Sequence, residues 1–180
     1  INCGLCEKIC PALHPVYKNN ERPSAYAVWA DDGLRKVSSS GGVFSVLADY
    51  VLGRGGYVCG AAYDENLNLN HIIIDSKKML PSLRGSKYLQ SNSQDSFKQI
   101  KHLLQQDKYV LFCGVPCQVA GLNNYLGNNN YEKLITADVL CHGGVAPLAF
   151  QRYLKECFPN TEIEDYKFRD KKYGWVASVN

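Results

Sequence analysis

The alternation of short apolar segments with amphipathic helices limits the fold of this chain more than any other feature of its sequence. Strands of a buried type are predicted at 57–63, 71–75, 109–113 and 134–140, and helices at 43–52, 95–105, 116–126 and 146–157. Strands that alternate with helices of this length are typical of α/β proteins. We therefore predict an α/β fold in which a mixed sheet carries helices on its faces.

Shorter patterns predict three further strands, at 25–30, 166–169 and 175–179. The first is followed by the turn signal Asp31-Asp32-Gly33. We expect some antiparallel pairing near the ends of the chain.

Cysteines at the start of the chain are spaced as ligands of an iron–sulfur cluster. Cys3, Cys6 and Cys10, with Pro11 after them, match the last three cysteines of the bacterial run C-x2-C-x2-C-x3-C-P. Four soft thiolates must converge on one small inorganic core, so the ligands come from a tight loop that proline ends or redirects. A zinc knuckle is the alternative for this spacing. The first cysteine of the run would precede Ile1, so we expect the sequence to be part of a longer chain.

A polar segment with prolines separates this motif from the rest of the sequence. Residues 12–24 contain Pro15, Pro23 and the run Lys18-Asn19-Asn20-Glu21-Arg22, which is a composition typical of linkers. We therefore predict the end of a ferredoxin-like iron–sulfur segment with its linker at 1–24 and an α/β domain at 25–180. Since the last predicted strand runs to the end of the sequence, we expect this domain to be truncated at its C-terminus.

Composition and charge exclude several classes of protein. A net charge of +3 over 180 residues gives no basis for binding nucleic acid, and no apolar run approaches the roughly 18 residues of a membrane span. Eight cysteines in a chain that is 46% hydrophobic do not fit a small disulfide-stabilised secreted protein. Their Cys-Pro, Pro-Cys and Cys-His contexts are typical of ligands or reactive thiols in a reducing compartment, which predicts a cytoplasmic protein.

The loop at 114–118 is the sharpest functional signal among the strand ends, where α/β proteins bind ligands. Pro116 suits the first turn of a helix, and the helix N-terminus would stabilise the thiolate of Cys117. Such a thiol acts as a nucleophile, a redox group or a metal ligand. The structural alternative is a buried cysteine that only fills the start of the helix.

Two other loops carry groups suited to an anionic ligand. Before the helix at 43–52, the run 38–42 offers serine hydroxyls and unhindered glycine N–H groups to a phosphate, or else serves as an N-cap and a close packing contact. It matches neither the GxGxxG pattern nor the P-loop. In the tetrapeptide 85–88, Lys87 is suited to pair with a phosphate or an anionic flavin ring, and Tyr88 to stack on a ring.

The loop after the strand at 134–140 carries Cys141 and His142. Consecutive strands of such sheets are often neighbours, so Cys113, Cys117 and Cys141 are candidates to converge. Cys59 and Cys157 lie within a predicted strand and helix, where we interpret them as structural thiols.

Taken in order, these motifs resemble the coenzyme F420 hydrogenase/dehydrogenase beta-subunit family. The matching segments are 3–11, 39–52, 55–61, 85–88, 111–122, 141–143 and 168–175, so that the resemblance covers nearly the whole chain. Cys113 and Val115 stand where the family pattern has threonine. The first segment resembles the second motif of a two-cluster ferredoxin, in which the fourth cysteine of each motif binds the other motif's cluster.

The resemblance implies a flavin- and iron–sulfur-containing oxidoreductase that passes electrons between [4Fe–4S] clusters and FAD. By the same resemblance, the flavin exchanges hydride with a small molecule or a deazaflavin-type coenzyme. The metal ligands that it implies are Cys3, Cys6 and Cys10. The candidate catalytic residues are Cys117, Lys87 and His142. The cofactor-binding positions that it implies are Ser40, Gly41, Gly42, Ser86, Lys87, Tyr88, Gly114, Pro116, Cys117 and Gln118.

Two other functions compete with this hypothesis. One is a cysteine-dependent transferase, with Cys117 as nucleophile and His142 as base. The other is a non-catalytic module that binds zinc or a protein. For the oxidoreductase we expect a redox partner protein or subunit, and the sequence leaves open whether the chain forms a homo-oligomer and whether F420 itself is used.

Overall fold

The computed structural model describes residues 3–8, 10–14, 22–127 and 129–171. Four strands and seven α-helices are described in these ranges. The strands are β1 (Tyr57–Tyr63), β2 (Leu69–Ile74), β3 (Val110–Gly114) and β4 (Leu134–Asp138). The helices are α1 (Leu5–Lys8), α2 (Asp32–Lys36), α3 (Val43–Leu52), α4 (Leu80–Leu83), α5 (Ser96–Gln105), α6 (Pro116–Leu126) and α7 (Pro147–Cys157), and a 3-10 turn (Lys77–Met79) precedes α4.

The four strands form one mixed sheet in the order β2-β1-β3-β4. The β1–β2 pair is an antiparallel hairpin that runs from Val58 opposite Ile74 to Tyr63 opposite Leu69. Both neighbours of β3 are parallel to it, which places the carboxyl ends of β3 and β4 at one edge of the sheet. The prediction of an α/β fold with a mixed sheet is confirmed, whereas the division of the chain after residue 24 stays a prediction.

Helices cover both faces of the sheet because its strands alternate apolar side chains between them. On one face, α3 and α4 pack against Val58 and Leu111. On the other, α5 and α6 pack against Cys59, Val110 and Phe112. A third cluster joins α7 to the β1–β2 hairpin and to Leu89. Cys59 is fully buried, in line with its interpretation as a structural thiol.

Two of the three additional predicted strands are wrong, and the third, at 175–179, lies outside the described residues. Residues 25–30 pair with none of the described strands, and the side chains of Tyr26, Val28 and Trp29 are exposed. Only Ala30 of this segment is buried, and its N–H donates to Gly41 O at 2.7 Å. Segment 166–169 is also not a strand.

In segment 166–169, Tyr166 and Phe168 pack their rings against Phe150 of α7, at 4.8 and 5.8 Å between ring centroids. The alternation that predicted a strand here therefore reflects packing on a helix. The predicted strand at 134–140 ends two residues early, at Asp138, since the exposed Val139 and Leu140 already belong to the following loop. No helix within the described residues is long and apolar enough to cross a membrane.

Gly56 provides a test of this packing, because a side chain does not fit where α3 returns to the sheet. A Cβ at residue 56 would lie 2.6 Å from Tyr109 O and 2.8 Å from Val51 Cγ1. We expect Gly56→Ala to lower the free energy of unfolding by about 2 kcal/mol, as overpacking of a core does. Denaturant unfolding measures this change.

Gly60→Ala, in the adjoining strand β1, is the matched control, since the atoms nearest to its Cβ would be those of the Leu83 side chain, from 3.5 Å. Its effect should stay below about 1 kcal/mol. Equal destabilisation by the two variants would contradict the packing described for Gly56.

Candidate functional site

The candidate site lies where β3 ends and α6 begins. Pro116 occupies the first turn of α6, as predicted. Gly114 is closely packed, because a Cβ there would lie 2.9 Å from Gln118 Oε1 and 3.1 Å from Phe112 Cε1, so that a larger residue would displace the Gln118 side chain. This glycine therefore has a packing role within the protein, whether or not a cofactor approaches it.

Lys87 is a half-buried cation beside this strand end. Its Nζ donates to Arg84 O at 2.7 Å and to Leu83 O at 3.3 Å, which leaves one of its three N–H donors for another acceptor. Burial lowers its pKa to about 8, although the negative charges of Asp165 and a Cys113 thiolate would favour the ammonium form. Among the described residues Lys87 makes no salt bridge. Within that part of the chain it is thus a half-buried ammonium without a carboxylate at salt-bridge distance.

Cys113 is the thiol that faces this charge. Burial raises its pKa to about 11, the carboxylate of Asp138 raises it further, and Lys87 acts in the opposite direction. At neutral pH the Cys113 side chain is therefore a thiol rather than a thiolate. Because Cys113 alternates with Phe112 along β3, its side chain and Lys87 lie on the α3–α4 side of the sheet.

Two loops from different parts of the chain meet beside Lys87. Val145 N–H donates to Tyr88 O at 2.9 Å, and Gln90 N–H donates to Val145 O at 3.1 Å. Gly85 and Gly143 have φ angles of 92° and 129°, and a Cβ at either position would meet no atom within 4 Å. These two glycines are required by backbone conformation and border open space.

The amino end of α3 adjoins the loop that carries Lys87, through a hydrogen bond of 3.0 Å from Arg84 Nε to Ser45 Oγ. The glycines of this end have a packing explanation. A Cβ at Gly41 would lie 3.0 Å from Val28 O, and one at Gly42, whose φ is 86°, would lie 3.0 Å from Ala30 Cβ. Ser40 is exposed, and its carbonyl accepts a hydrogen bond from Lys171 Nζ at 3.0 Å.

His71 is a member of this region that sequence reasoning missed. The ring is buried in β2, stacks on Phe112 at 5.3 Å between centroids, and contacts Cys113 O through Nε2 at 3.2 Å. Its Nδ1 contacts Ser91 Oγ at 3.1 Å, and Gln118 Nε2 donates to the same oxygen at 2.8 Å. A lone histidine at the start of the apolar run 71–74 was the only signal in the sequence that could have singled it out.

Other predicted residues are not brought together. Cys117 and His142 are both exposed, and within the described residues neither side chain has a hydrogen bond or an ion pair, so the proposed nucleophile–base contact is not formed. Cys141 is also exposed, and its Sγ accepts from Gly143 N at 3.4 Å. Ser86 is half-buried, and Tyr88 is 41% exposed with its ring edge-on to Phe168 at 5.5 Å.

These residues fit an anionic, ring-bearing cofactor such as FAD, because the Lys87 ammonium has a spare donor, the Tyr88 ring beside it is exposed, and Gly85 and Gly143 in the adjoining loops border open space. For an iron–sulfur cluster the fit is incomplete. Cys3 and Cys6 are exposed and Cys10 is half-buried, and their thiols suit iron. Across the described ranges, however, no three His, Cys, Asp or Glu side chains are arranged to hold one metal ion.

The part of the chain that contains β3 and α6 is similar to a known protein family. Residues 107–180 match the family model for the C terminus of the coenzyme F420 hydrogenase/dehydrogenase beta subunit. No curated protein sequence matches the chain.

A solved structure with a similar fold is a chain of the F420-reducing [NiFe] hydrogenase complex from Methanosarcina barkeri, with a TM-score of 0.60 and 17% identity. The match covers 84% of this chain and 57% of that chain, so the present sequence spans little more than half of its structural relative. The resemblance inferred from the motifs is confirmed, since residues 107–180 match the model of the coenzyme F420 hydrogenase/dehydrogenase beta-subunit family and the fold is similar to that of the hydrogenase chain.

Proposed function

We propose that this protein is an oxidoreductase that binds FAD at the carboxyl edge of β3 and β4 and exchanges hydride with a small molecule or a deazaflavin-type coenzyme. The observation that carries the proposal is Lys87, a half-buried ammonium with a donor to spare and no salt bridge among the described residues, beside Cys113 at the end of β3. The family match of residues 107–180 supports the class of reaction.

The groups proposed to hold FAD come from three loops. Lys87 would donate to an anionic or electron-rich part of the cofactor, with Ser86 and the Tyr88 ring beside it. The remaining contacts are proposed for Ser40, Gly41, Gly42, Gly114, Pro116, Cys117 and Gln118. When bound, FAD supplies hydride chemistry that no side chain provides and links it to one-electron transfer.

The neighbouring thiols are assigned different tasks within this proposal. Cys113 is protonated at neutral pH and half-buried, so we assign it to shaping and insulating the site beside Lys87. Cys117, in the first turn of α6, and His142, in the loop after β4, are exposed at the same edge, where they are accessible to a substrate. We therefore keep both as candidate catalytic residues that would act separately on a bound substrate.

Cys3, Cys6 and Cys10 are proposed as ligands of a [4Fe–4S] cluster. Because their thiols do not converge within the described ranges, we derive no electron-transfer step through them. The similar solved chain belongs to a hydrogenase complex, and by analogy we propose that a redox partner protein or subunit exchanges electrons with this protein.

The first test is whether the protein binds FAD through Lys87. Added FAD should give a bound flavin absorbance band, and Lys87→Met should weaken FAD binding by about 10- to 100-fold, because a hydrogen bond to a charged group contributes about 1.5–3 kcal/mol. Titration by fluorescence quenching measures the affinity of the wild type and the variant.

Lys77→Met is the matched control, since Lys77 is an exposed ammonium that pairs with Asp49 at 3.0 Å on the protein surface. It should leave the affinity unchanged. A protein that stays colourless after anaerobic incubation with FAD, iron and sulfide would overturn the proposed function. Equal FAD affinity of the wild type and Lys87→Met would overturn only the role of Lys87.

The second test uses the titration of Lys87 without any cofactor. A lysine whose pKa falls from 10.5 in the unfolded chain to about 8 in the folded protein binds fewer protons when folded, so the folded state gains stability as pH rises through 8. Between pH 7 and pH 9, the free energy of unfolding of the wild type should increase by about 1 kcal/mol relative to Lys87→Met.

Urea unfolding at several pH values measures this difference, and Lys77→Met again serves as the control. A pH-independent difference between the wild type and Lys87→Met would show that Lys87 is solvated as an ordinary surface lysine. That result would remove the observation on which the proposed site depends.

A further inference from the structure

The hydrogen bonds around His71 form a continuous chain that ends in the turn between β3 and α6. Cys113 O accepts from the His71 ring, Ser91 Oγ lies between the ring and Gln118, and Gln118 Oε1 accepts from Val115 N–H at 3.1 Å. The two ends of this chain of hydrogen bonds, Cys113 O and Val115 N–H, are backbone groups. The members between them are side chains, each with a defined donor or acceptor role.

The chemistry of these groups fixes the tautomer of the ring. A carbonyl oxygen only accepts, so Nε2 of His71 carries the proton and donates to Cys113 O. Nδ1 then accepts from the Ser91 hydroxyl, and that hydroxyl accepts in turn from the Gln118 amide. Burial lowers the pKa of His71, which favours this neutral form, although the hydrogen bond to Cys113 O acts in the other direction.

The register of the sheet explains why a side chain is needed at this point. The β1–β3 ladder ends at Cys59 opposite Phe112, whereas the β3–β4 ladder continues to Gly114 opposite Asp138. Gly114 O accepts from Val139 N on the β4 side, so the preceding carbonyl, that of Cys113, points toward β1. The described β1–β3 pairing does not reach it, and His71 supplies the donor instead.

The far end of the chain of hydrogen bonds controls a backbone group of the candidate site. Pro116 has no N–H, so the N–H of Val115 immediately before it is one of the few donors that this turn has. Gln118 Oε1 takes that donor, while Gln118 is itself held through Ser91 by His71. The conformation of the 114–118 turn, which includes Cys117, therefore depends on the buried ring of His71 in β2.

We propose that His71 is a positioning residue that, through Ser91 and Gln118, holds the 114–118 turn in the conformation that faces the flavin. The link to the flavin rests on the proposed function, whereas the hold on the turn is a property of the protein alone. His71 is not proposed to touch the cofactor or the substrate.

The main experiment measures hydrogen exchange of the Val115 amide in the full chain without cofactor. His71→Phe keeps a ring to stack on Phe112 but removes both ring nitrogens, and Ser91→Ala interrupts the chain in the middle. Each variant should speed exchange of Val115 N–H by about tenfold or more, because the acceptor that protects it is no longer held. The double variant should be no faster than His71→Phe, since both changes break one chain.

Two further variants separate positioning from a general loss of stability. His71→Asn places an oxygen near the position of Nδ1 and should restore much of the protection through Ser91. His102→Phe is the matched control, because His102 lies exposed on α5 and, within the described residues, its ring bonds only Gln106, at 3.0 Å. It should leave Val115 exchange unchanged. Nitrogen NMR of His71 should show a neutral ring with the proton on Nε2 at pH 7.

Unchanged Val115 exchange in His71→Phe, additive effects of the two single variants, or a doubly protonated His71 at pH 7 would each overturn the proposal. With FAD added, His71→Phe should weaken flavin binding by about 3- to 30-fold and His71→Asn by less. Wild-type protein that binds no FAD would refute the proposed function but not the positioning role, because the exchange measurement needs no cofactor. Faster Val115 exchange with unchanged flavin affinity would overturn the link to the flavin.

Discussion

The structure depends on the burial of β3 between two parallel neighbours. Val110, Leu111 and Phe112 have no exposed surface, and they alternate between the clusters on the two faces of the sheet. Helices on both faces are needed to bury such a strand, which explains why α3 and α4 pack on one side and α5 and α6 on the other. The unequal lengths of the two ladders of β3 then create the candidate site.

At the end of β3 two ionisable side chains lie on opposite faces of the sheet, and burial acts on them differently. On the α5–α6 face, His71 has a partner for each ring nitrogen, and burial lowers its pKa, which favours the neutral ring. On the α3–α4 face, Lys87 has two carbonyl acceptors, and among the described residues it makes no salt bridge, although the carboxylate of Asp165 is near enough to favour its ammonium form. A buried side chain whose donors and acceptors all have partners suits a structural role. A buried charge with a spare donor and no salt bridge is instead typical of a binding site.

The family match and the site overlap only in part. The matched residues, 107–180, contain β3, α6, β4 and α7. Lys87, His71 and Ser91 come from earlier in the chain and reach the end of β3 through the antiparallel β1–β2 hairpin and the loop before α5. The site is therefore assembled from both halves of the described chain, although only one of them carries the family match.

The sequence by itself determined the class of fold, the positions of the main strands and helices, and the glycine-, proline- and cysteine-containing turn after β3, because side-chain periodicity and turn chemistry are local properties. It failed at 25–30 and 166–169, since apolar alternation does not reveal whether a neighbouring strand exists. Only the tertiary structure decided that Lys87 is held by two carbonyls with a donor to spare, that burial raises the pKa of Cys113 and that His71 supports the 114–118 turn. Burial and hydrogen-bond partners depend on residues that are distant in sequence, and no local pattern specifies which of them meet at the end of a strand.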